Sequence, residues 1–313
     1  MNTDIVERTS STQTSRGYLI CFTGVVLWSL TGIFIRYLTV TYQMPPLILA
    51  FWRDLFLALP LIVALLILNP SRLKIDRSNL RFLFLYGLEI SLFNSLWTIS
   101  VALNGAAIAT VLIYSSAVFT AILGWRLFSE ALGLNKIIAV SLSLVGITFI
   151  VGVQDLAAWN GNPLGMIAGL LSGMGFAGYS LMGRYSAHKG MDTWSTLSYA
   201  FLFALPFLFL YNMLGVSLPD GIASSSFFIL GNQINAWIIL IFLAIGPTLA
   251  GFSLYTYSLS YLPASVANLI ATLEPVITVI LAYILLDERL TAPQWIGAIL
   301  IMLGVVLLRW TER

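Results

Sequence analysis

Polar residues in this chain gather in short clusters, and between the clusters run long stretches that are almost wholly apolar. A helix needs about 20 apolar residues to cross a hydrocarbon core about 30 Å thick. The pattern predicts ten such helices, near residues 17–38, 46–68, 81–103, 106–128, 135–153, 163–185, 193–214, 236–259, 264–286 and 293–310. What remains is short loops, a polar N-terminal tail (1–16) and a connection at 215–235, which leaves no room for a water-soluble domain. The first stretch follows Arg16, but it is too long for a signal-peptide core and lacks a small-x-small cleavage site, so it is read as a helix.

Composition agrees with lipid as the solvent. Of the 313 residues 59% are hydrophobic and 9% charged, against about 25% charged in soluble domains. The single cysteine, Cys21, excludes an intramolecular disulfide, and the single histidine, His188, falls in a loop and argues against a histidine-ligated metal centre. Net charge is +2, and its placement matters more than its size. With the N-terminus inside, the inner segments hold 12 of the 15 Lys and Arg residues, the outer segments only Arg36 and Arg289, and Arg53 lies within the second span. Cytoplasmic loops are enriched in Lys and Arg, so both termini are predicted to be cytoplasmic and the 215–235 connection external.

The chain also repeats itself. A shift of 158 residues lays the third to fifth spans on the eighth to tenth without gaps. Ser95, Thr98 and Ser100 meet Ser253, Thr256 and Ser258; Thr120, Glu130 and Gly146 meet Thr278, Glu288 and Gly304. A shift of 148 pairs Gly17, Arg36 and Tyr37 with Gly165, Arg184 and Tyr185. Chance would match Leu and Ala between two apolar sequences, but not charged, Gly and Thr positions at constant register. Five spans per unit is an odd number, so the second copy is inverted in the membrane. Inverted repeats are typical of secondary transporters, where one mid-membrane site is exposed alternately to the two sides. The predicted fold is therefore an all-α polytopic membrane protein: ten transmembrane helices as two inverted five-helix repeats, 17–153 and 163–310, behind a cytoplasmic tail.

Four ionisable residues lie well inside predicted spans: Arg53, Asp54, Glu89 and Glu274. A lone charge there costs at least a few kcal/mol, so each is expected to face the bundle interior with a partner. At about 1.5 Å per residue Glu274 lies roughly 15 Å from the inner boundary, near the midplane. Arg53 reaches that depth if its helix is a neighbour, and an Arg53–Glu274 pair locking two helices is one reading. The other is a cavity carboxylate that binds a proton or a substrate. Arg53 and Asp54, about 100° apart on one helix, are not expected to share a partner face.

Next to Glu274 stands Pro275, which has no N–H and so deprives the Ala271 carbonyl of its helical donor. Pro247 does the same to Leu243. Such breaks are tolerated in a membrane where the freed carbonyl meets protein, water or ligand. Polar residues recur at helical spacing: Ser91, Asn94 and Thr98; Thr248, Gly251 and Tyr255; Asn268, Thr272 and Pro275. Interhelical hydrogen bonding is their ordinary use. Trp28, Trp97, Tyr114 and Tyr179 add aromatic surface, the last three too deep for an interfacial belt. Thr291-Ala292-Pro293-Gln294 reads as a capping box opening the tenth span, and Asn162-Pro163 opens the sixth similarly.

The segments "GWRLFSEALGLNKIIAVSLSLVGI" and "AYILLDERLTAPQWIGAILIMLGVVL" resemble the two copies of the EamA domain in the drug/metabolite transporter superfamily, as do "PPLILAFWRDLFLALPL" and "LYTYSLSYLPASVANLIATLEPV". The resemblance covers residues 17–310. It implies a basket-like bundle whose central cavity is bounded by spans 1–4 and 6–9, with spans 5 and 10 peripheral. It also implies export of amino acids, other metabolites or drugs, or carriage of nucleotide sugars and sugar phosphates. Glu130, Glu288 and the Glu274-Pro275 pair match the family's motifs. Ser116-Ala117 departs from them where the first half usually carries a proline, which makes Glu274 a one-sided feature.

The expected function is export of a small metabolite such as an amino acid by alternating access, without a cofactor, metal or nucleic acid, from a monomer in a bacterial inner membrane. Glu274 would take a proton, as coupling ion, or a substrate ammonium. Asn94, Thr98, Tyr255, Asn268 and Thr272 would make polar contacts, and Trp97, Tyr114 and Tyr179 would pack on apolar substrate parts. Arg53, Asp54, Glu89, Pro247 and Pro275 would serve structure or coupling. No GxxxxGK[ST] is present, against ATP coupling within the chain. A phosphate-bearing substrate would ask for several basic residues at mid-depth, and Arg53 alone qualifies. An intramembrane enzyme would have to work without HExxH or a Cys–His pair, on Glu89, Asp54 and Glu274; a channel or receptor is the remaining alternative, separated from a carrier by saturable counterflow.

Overall fold

The computed structural model describes residues 2–116, 119, 133–151, 162–215, 221–258, 261, 270–271 and 273–311. The fold is all-helical. Among the described residues six helices are long and apolar enough to cross a membrane, and three shorter apolar helices accompany them at Ile137–Phe149, Glu274–Leu286 and Ala292–Gly304. Large apolar side chains such as Leu66, Ile138, Ile284 and Ile299 point outward. In water these would form an adhesive patch; against acyl chains they are at home. The protein is an integral membrane protein.

Among the described residues the elements follow the hydrophobic pattern; most of the predicted fourth span (106–128) and the start of the ninth (264–286) lie outside them. Helix α1 (Asn2–Thr41) begins earlier than the apolar stretch does, running back through the polar tail. It is followed by α2 (Pro46–Leu68), α3 (Leu80–Asn104) and α4 (Ala106–Ile113). Then come α5 (Leu134–Val151), α6 (Pro163–His188) and α7 (Thr193–Leu214). The predicted eighth span is one continuous rod in three parts: α8 (Ile234–Leu243), a π-helical segment (Ala244–Ala250) and α9 (Gly251–Ser258). Helices α10 (Glu274–Leu286) and α11 (Ala292–Thr311) complete the described chain. Pro60 and Pro206 interrupt neither α2 nor α7.

Packing knits the two halves together. Helix α3 lies against α6 and α7, α1 against α9 and α10, α2 against α7, and α4 against α6. Helices α5 and α11 pack on each other, and the repeat-related Gly146 and Gly304 both sit in their seam. A Cβ on Gly146 would meet the Gly297 carbonyl at 2.7 Å, and one on Gly304 the Ala139 carbonyl at 2.6 Å. The predicted caps are present in part. Thr291 N donates to Gln294 Oε1 at 2.9 Å, and Gly165 N to Asn162 Oδ1 at 3.4 Å. Of the connection after α7, residues 221–233 are described, and they meet α2, where the Trp52 indole donates to the Phe227 carbonyl at 2.7 Å.

Two junctions prepare the site. Between α3 and α4 the chain turns at Gly105, whose φ of +88° disfavours any side chain. A Cβ there would also meet the Glu288 carboxylate at 2.6 Å. That carboxylate accepts the Ala106 and Ala107 N–H groups, each at 3.1 Å, and pairs with Arg36 Nε at 3.3 Å. Arg36 reaches on to the Ala102 carbonyl. Glu288, from after α10, thus satisfies the first turn of α4, which has no acceptors of its own.

The second junction repeats. Helix α4 stops at Ile113 in a turn closed by Ser115 N donating to the Leu112 carbonyl at 3.0 Å. At the positions 158 residues on, Leu273 N donates to the Ile270 carbonyl, also at 3.0 Å, just before α10 begins. The first half breaks its helix at the equivalent place without the proline.

Candidate functional site: an aromatic cavity with one guanidinium and two carboxylates

These breaks open onto a cavity between the helices, about 810 Å³ with the open space at its mouth included. Its wall is mostly aromatic, with Trp28, Phe93, Trp97, Phe176, Tyr179 and Phe252. Arg53, Asp54, Asn94, Tyr114, Thr248 and Glu274 supply the polar part, together with Thr31.

Of the residues singled out in the sequence, Glu274, Asn94, Trp97, Tyr114, Tyr179, Arg53 and Asp54 line this one cavity. Others stand behind it. Thr98 is buried and donates to the Asn94 carbonyl at 2.7 Å, holding the turn that presents Asn94. Tyr255 packs on Trp28 with ring centroids 5.2 Å apart. Glu89 sits behind Tyr179, its carboxylate against Gly175 and Gly178. Asn268 and Thr272 lie outside the described residues, as does Glu130.

The ionisable groups pair differently from the expected Arg53–Glu274 lock. Arg53 Nε lies 3.4 Å from Asp54 Oδ1, so the two neighbours on α2 pair with each other. The flexible Arg stem folds back over the 100° between their Cα positions, which sequence spacing alone does not reveal. The other Asp54 oxygen accepts from Asn94 Nδ2 at 2.7 Å. The guanidinium carbon lies 5.6 Å from the centre of the Trp97 ring, within cation–π range.

Glu274 is held instead by Tyr114, whose hydroxyl lies 2.9 Å from its Oε2 and 3.2 Å from the Ala271 carbonyl. That carbonyl is the one Pro275 orphans, so a tyrosine from the other half fills the gap. At the other break the π-helical register passes the Leu243 carbonyl, which Pro247 cannot serve, to Thr248, whose Oγ1 also donates to it at 2.9 Å. Helix α1 backs the site: Ser29 Oγ donates to the Glu274 carbonyl and Thr278 Oγ1 to the Ser29 carbonyl, both at 3.3 Å.

Sequence reasoning missed Thr31, Phe93, Phe176, Phe201 and Phe252. Thr31 stands one turn from Trp28 and was legible by that spacing. The four phenylalanines carry no signal, since phenylalanine inside an apolar span is as readily lipid-facing. No group of three or more His, Cys, Asp or Glu side chains that could hold a metal occurs among the described residues.

A bundle of membrane helices around a polar, aromatic-walled cavity defines a membrane protein built to take up a small molecule. The EamA-like transporter family model matches residues 15–152 and again 163–310. The chain belongs to this family, within the drug/metabolite transporter superfamily. It is similar to a "probable amino-acid metabolite efflux pump" of Escherichia coli K12, at 27% identity over 92% of this chain and 94% of that one. An uncharacterized inner membrane transporter of Salmonella typhimurium is 25% identical over 96% of this chain and 97% of its own. An uncharacterized Synechocystis transporter is 26% identical, and there the match spans 72% of this chain and 65% of the relative. One solved crystal structure superposes with a TM-score of 0.62 over 96% of this chain and 99% of its own, at 19% identity, a likeness of fold alone.

Proposed function

We propose that the chain is a secondary carrier that exports small amphipathic metabolites such as amino acids from the cytoplasm, by alternating access of two inverted five-helix repeats. The repeats are residues 17–153 and 163–310, ten spans in all, set in a bacterial inner membrane with the 1–16 tail and the C-terminus cytoplasmic. Support for the span count comes from the six long apolar helices and the three shorter ones, together with the α4 segment. The observation that carries the reading is a carboxylate, Glu274, hydrogen-bonded by Tyr114 at a helix break in the wall of an aromatic cavity. The name of the Escherichia coli efflux pump supports the substrate class and direction.

In this reading Glu274 exchanges a proton or receives the substrate's ammonium group. The Tyr114 hydroxyl has one hydrogen and two acceptors in reach. When Glu274 is ionised the hydroxyl is drawn to it; when Glu274 is protonated or paired with a cation, the hydroxyl is released to the Ala271 carbonyl. Charge at Glu274 is thereby linked to the helix break beside it. Aromatic side chains pack on apolar substrate parts, and Asn94 presents a polar contact. Asn268 and Thr272 are proposed to add others. A phosphorylated sugar fits less well, since Arg53 is the one cationic side chain among the described lining residues.

Counterflow in proteoliposomes tests the proposal: unlabelled amino acids are loaded inside and entry of labelled ones is followed. Trans-stimulated, saturable uptake is expected, and Glu274→Gln is expected to abolish it. Uptake unaffected by Glu274→Gln would return the carboxylate to a structural role. No counterflow with any amino acid, from protein shown to be folded, would overturn the amino-acid reading.

A further inference from the structure

The polar atoms around the cavity are unequally satisfied. Asp54 has both oxygens bonded, one to Arg53 and one to Asn94. Arg53 is 2% exposed, and its hydrogen bond is made by Nε. Its terminal nitrogens, Nη1 and Nη2, have no acceptor among the described residues. No ion pair joins Arg53 to Glu274, whose carboxylate is instead bonded by Tyr114. Trp97 packs on the guanidinium, and its buried Nε1 has no acceptor either; nor has the buried Thr31 Oγ1 a partner. All three residues line the same cavity.

A guanidinium carries five N–H donors in a planar fork and no acceptor, and an indole N–H is a donor only. A buried donor left unpaired costs about 1–3 kcal/mol, and Trp97 Nε1 is one. The unpaired donors of Arg53 and Trp97 are complementary to an anionic acceptor with two coplanar oxygens. A carboxylate matches the fork of one guanidinium in that way.

We infer that the Arg53 terminal nitrogens, with Trp97 Nε1 beside them, bind the carboxylate of the transported molecule. The inference rests on the carrier reading above and sharpens it. With Glu274 in the same cavity, the preferred substrate is a zwitterion, an α-amino acid whose apolar side chain meets the aromatic wall. Amines and cationic drugs, which lack the carboxylate, leave Arg53 unpaired and are rejected. Asp54 and Asn94 are positioning residues: by holding Nε they turn the rest of the fork towards the cavity.

The test compares L-phenylalanine, L-leucine and L-methionine, each beside its decarboxylated amine and its methyl ester. Counterflow is measured in proteoliposomes, and ligand-induced thermal stabilisation in nanodiscs. Wild type is expected to exchange and be stabilised by at least one of the acids, with its amine and ester weaker by about tenfold or more. Arg53→Lys keeps a cation beside Asp54 but loses the fork. Its KM for the acid is expected to rise by about tenfold while the preference for acid over ester shrinks. Should Arg53→Lys fail to fold, the comparison of acid, amine and ester on wild type still decides. Amines or esters that exchange as well as the acids would leave the carrier standing and overturn the carboxylate site, as would an Arg53→Lys protein with unchanged KM. If folded wild type neither exchanges nor is stabilised by any compound, the amino-acid reading and the site fall together.

Discussion

Glu288 offers the sharpest test of how the two halves are held together. Its carboxylate takes two backbone N–H groups from the first turn of α4, at 3.1 Å each, and pairs with Arg36 at 3.3 Å. Loss of a helix cap costs about 0.5–2 kcal/mol, and hydrogen bonds to charged groups about 1.5–3 kcal/mol. The ion pair is partly open, with side chains 27% and 17% exposed, so it adds no more than about 1 kcal/mol. Glu288→Gln keeps the shape but replaces one acceptor oxygen by an amide that faces an N–H. We expect it to cost about 2 kcal/mol, most of it from the cap. Arg36→Gln leaves the cap intact but loses both the ion pair and the bond to the Ala102 carbonyl, so it should cost about 1–3 kcal/mol. With about 2–4 °C per kcal/mol for chains of 150–250 residues, Glu288→Gln should lower the apparent Tm in nanodiscs by roughly 5 °C. Equal Tm values for Glu288→Gln and wild type would refute the assignment of stabilisation to the α4 cap.

The helix breaks make two further predictions. Tyr114→Phe removes the hydroxyl shared by Glu274 and the Ala271 carbonyl and should both lower the Tm by several degrees and reduce counterflow; a variant unchanged in both would remove that hydroxyl from the mechanism. Thr248→Val is close to isosteric and removes the hydroxyl donor to the Leu243 carbonyl while the π-helical backbone bond remains, so a loss of about 0.5–1.5 kcal/mol is expected, read as a drop in Tm. An unchanged Tm would show that the π-helical segment does not depend on that bond.

Helix positions were legible because each polar cluster ends an apolar run, and lipid leaves the backbone few alternatives to helix. The freed carbonyls of Ala271 and Leu243 were legible too, since proline's missing N–H dictates them. Their partners were not. Thr248 is one residue from Pro247, but Tyr114 is 157 residues from Ala271. The pairing of Arg53 with Asp54 was hidden by the length of the Arg stem, since helix geometry places Cα atoms and not guanidinium tips. Likewise nothing in sequence separates Phe93, on the cavity wall, from Leu92, which faces outward. The break after Ile113 was obscured for a different reason. Sequence marks a break by its proline, whereas here a turn at Tyr114 and Ser115 serves without one.

The two orphaned carbonyls are not equivalent, and the difference bears on movement. Leu243 is satisfied from within its own rod, by a threonine five residues on. That bond travels with the rod and is indifferent to how the halves are disposed. Ala271 is satisfied by a tyrosine at the end of α4, in the other half of the chain. Any motion that separates α4 from α10 must break this bond and expose an unpaired carbonyl, at a cost of about 1–3 kcal/mol unless another donor takes its place. The same hydroxyl is the hydrogen-bond donor to Glu274. A proton or ammonium arriving at Glu274 therefore acts on a contact between the halves and not merely on a wall of the cavity. Under the carrier reading, this is where occupancy of the site and the relative position of the repeats are coupled, and it places the coupling on one side of the pseudo-symmetric pair, since Ser116 stands where a second carboxylate would.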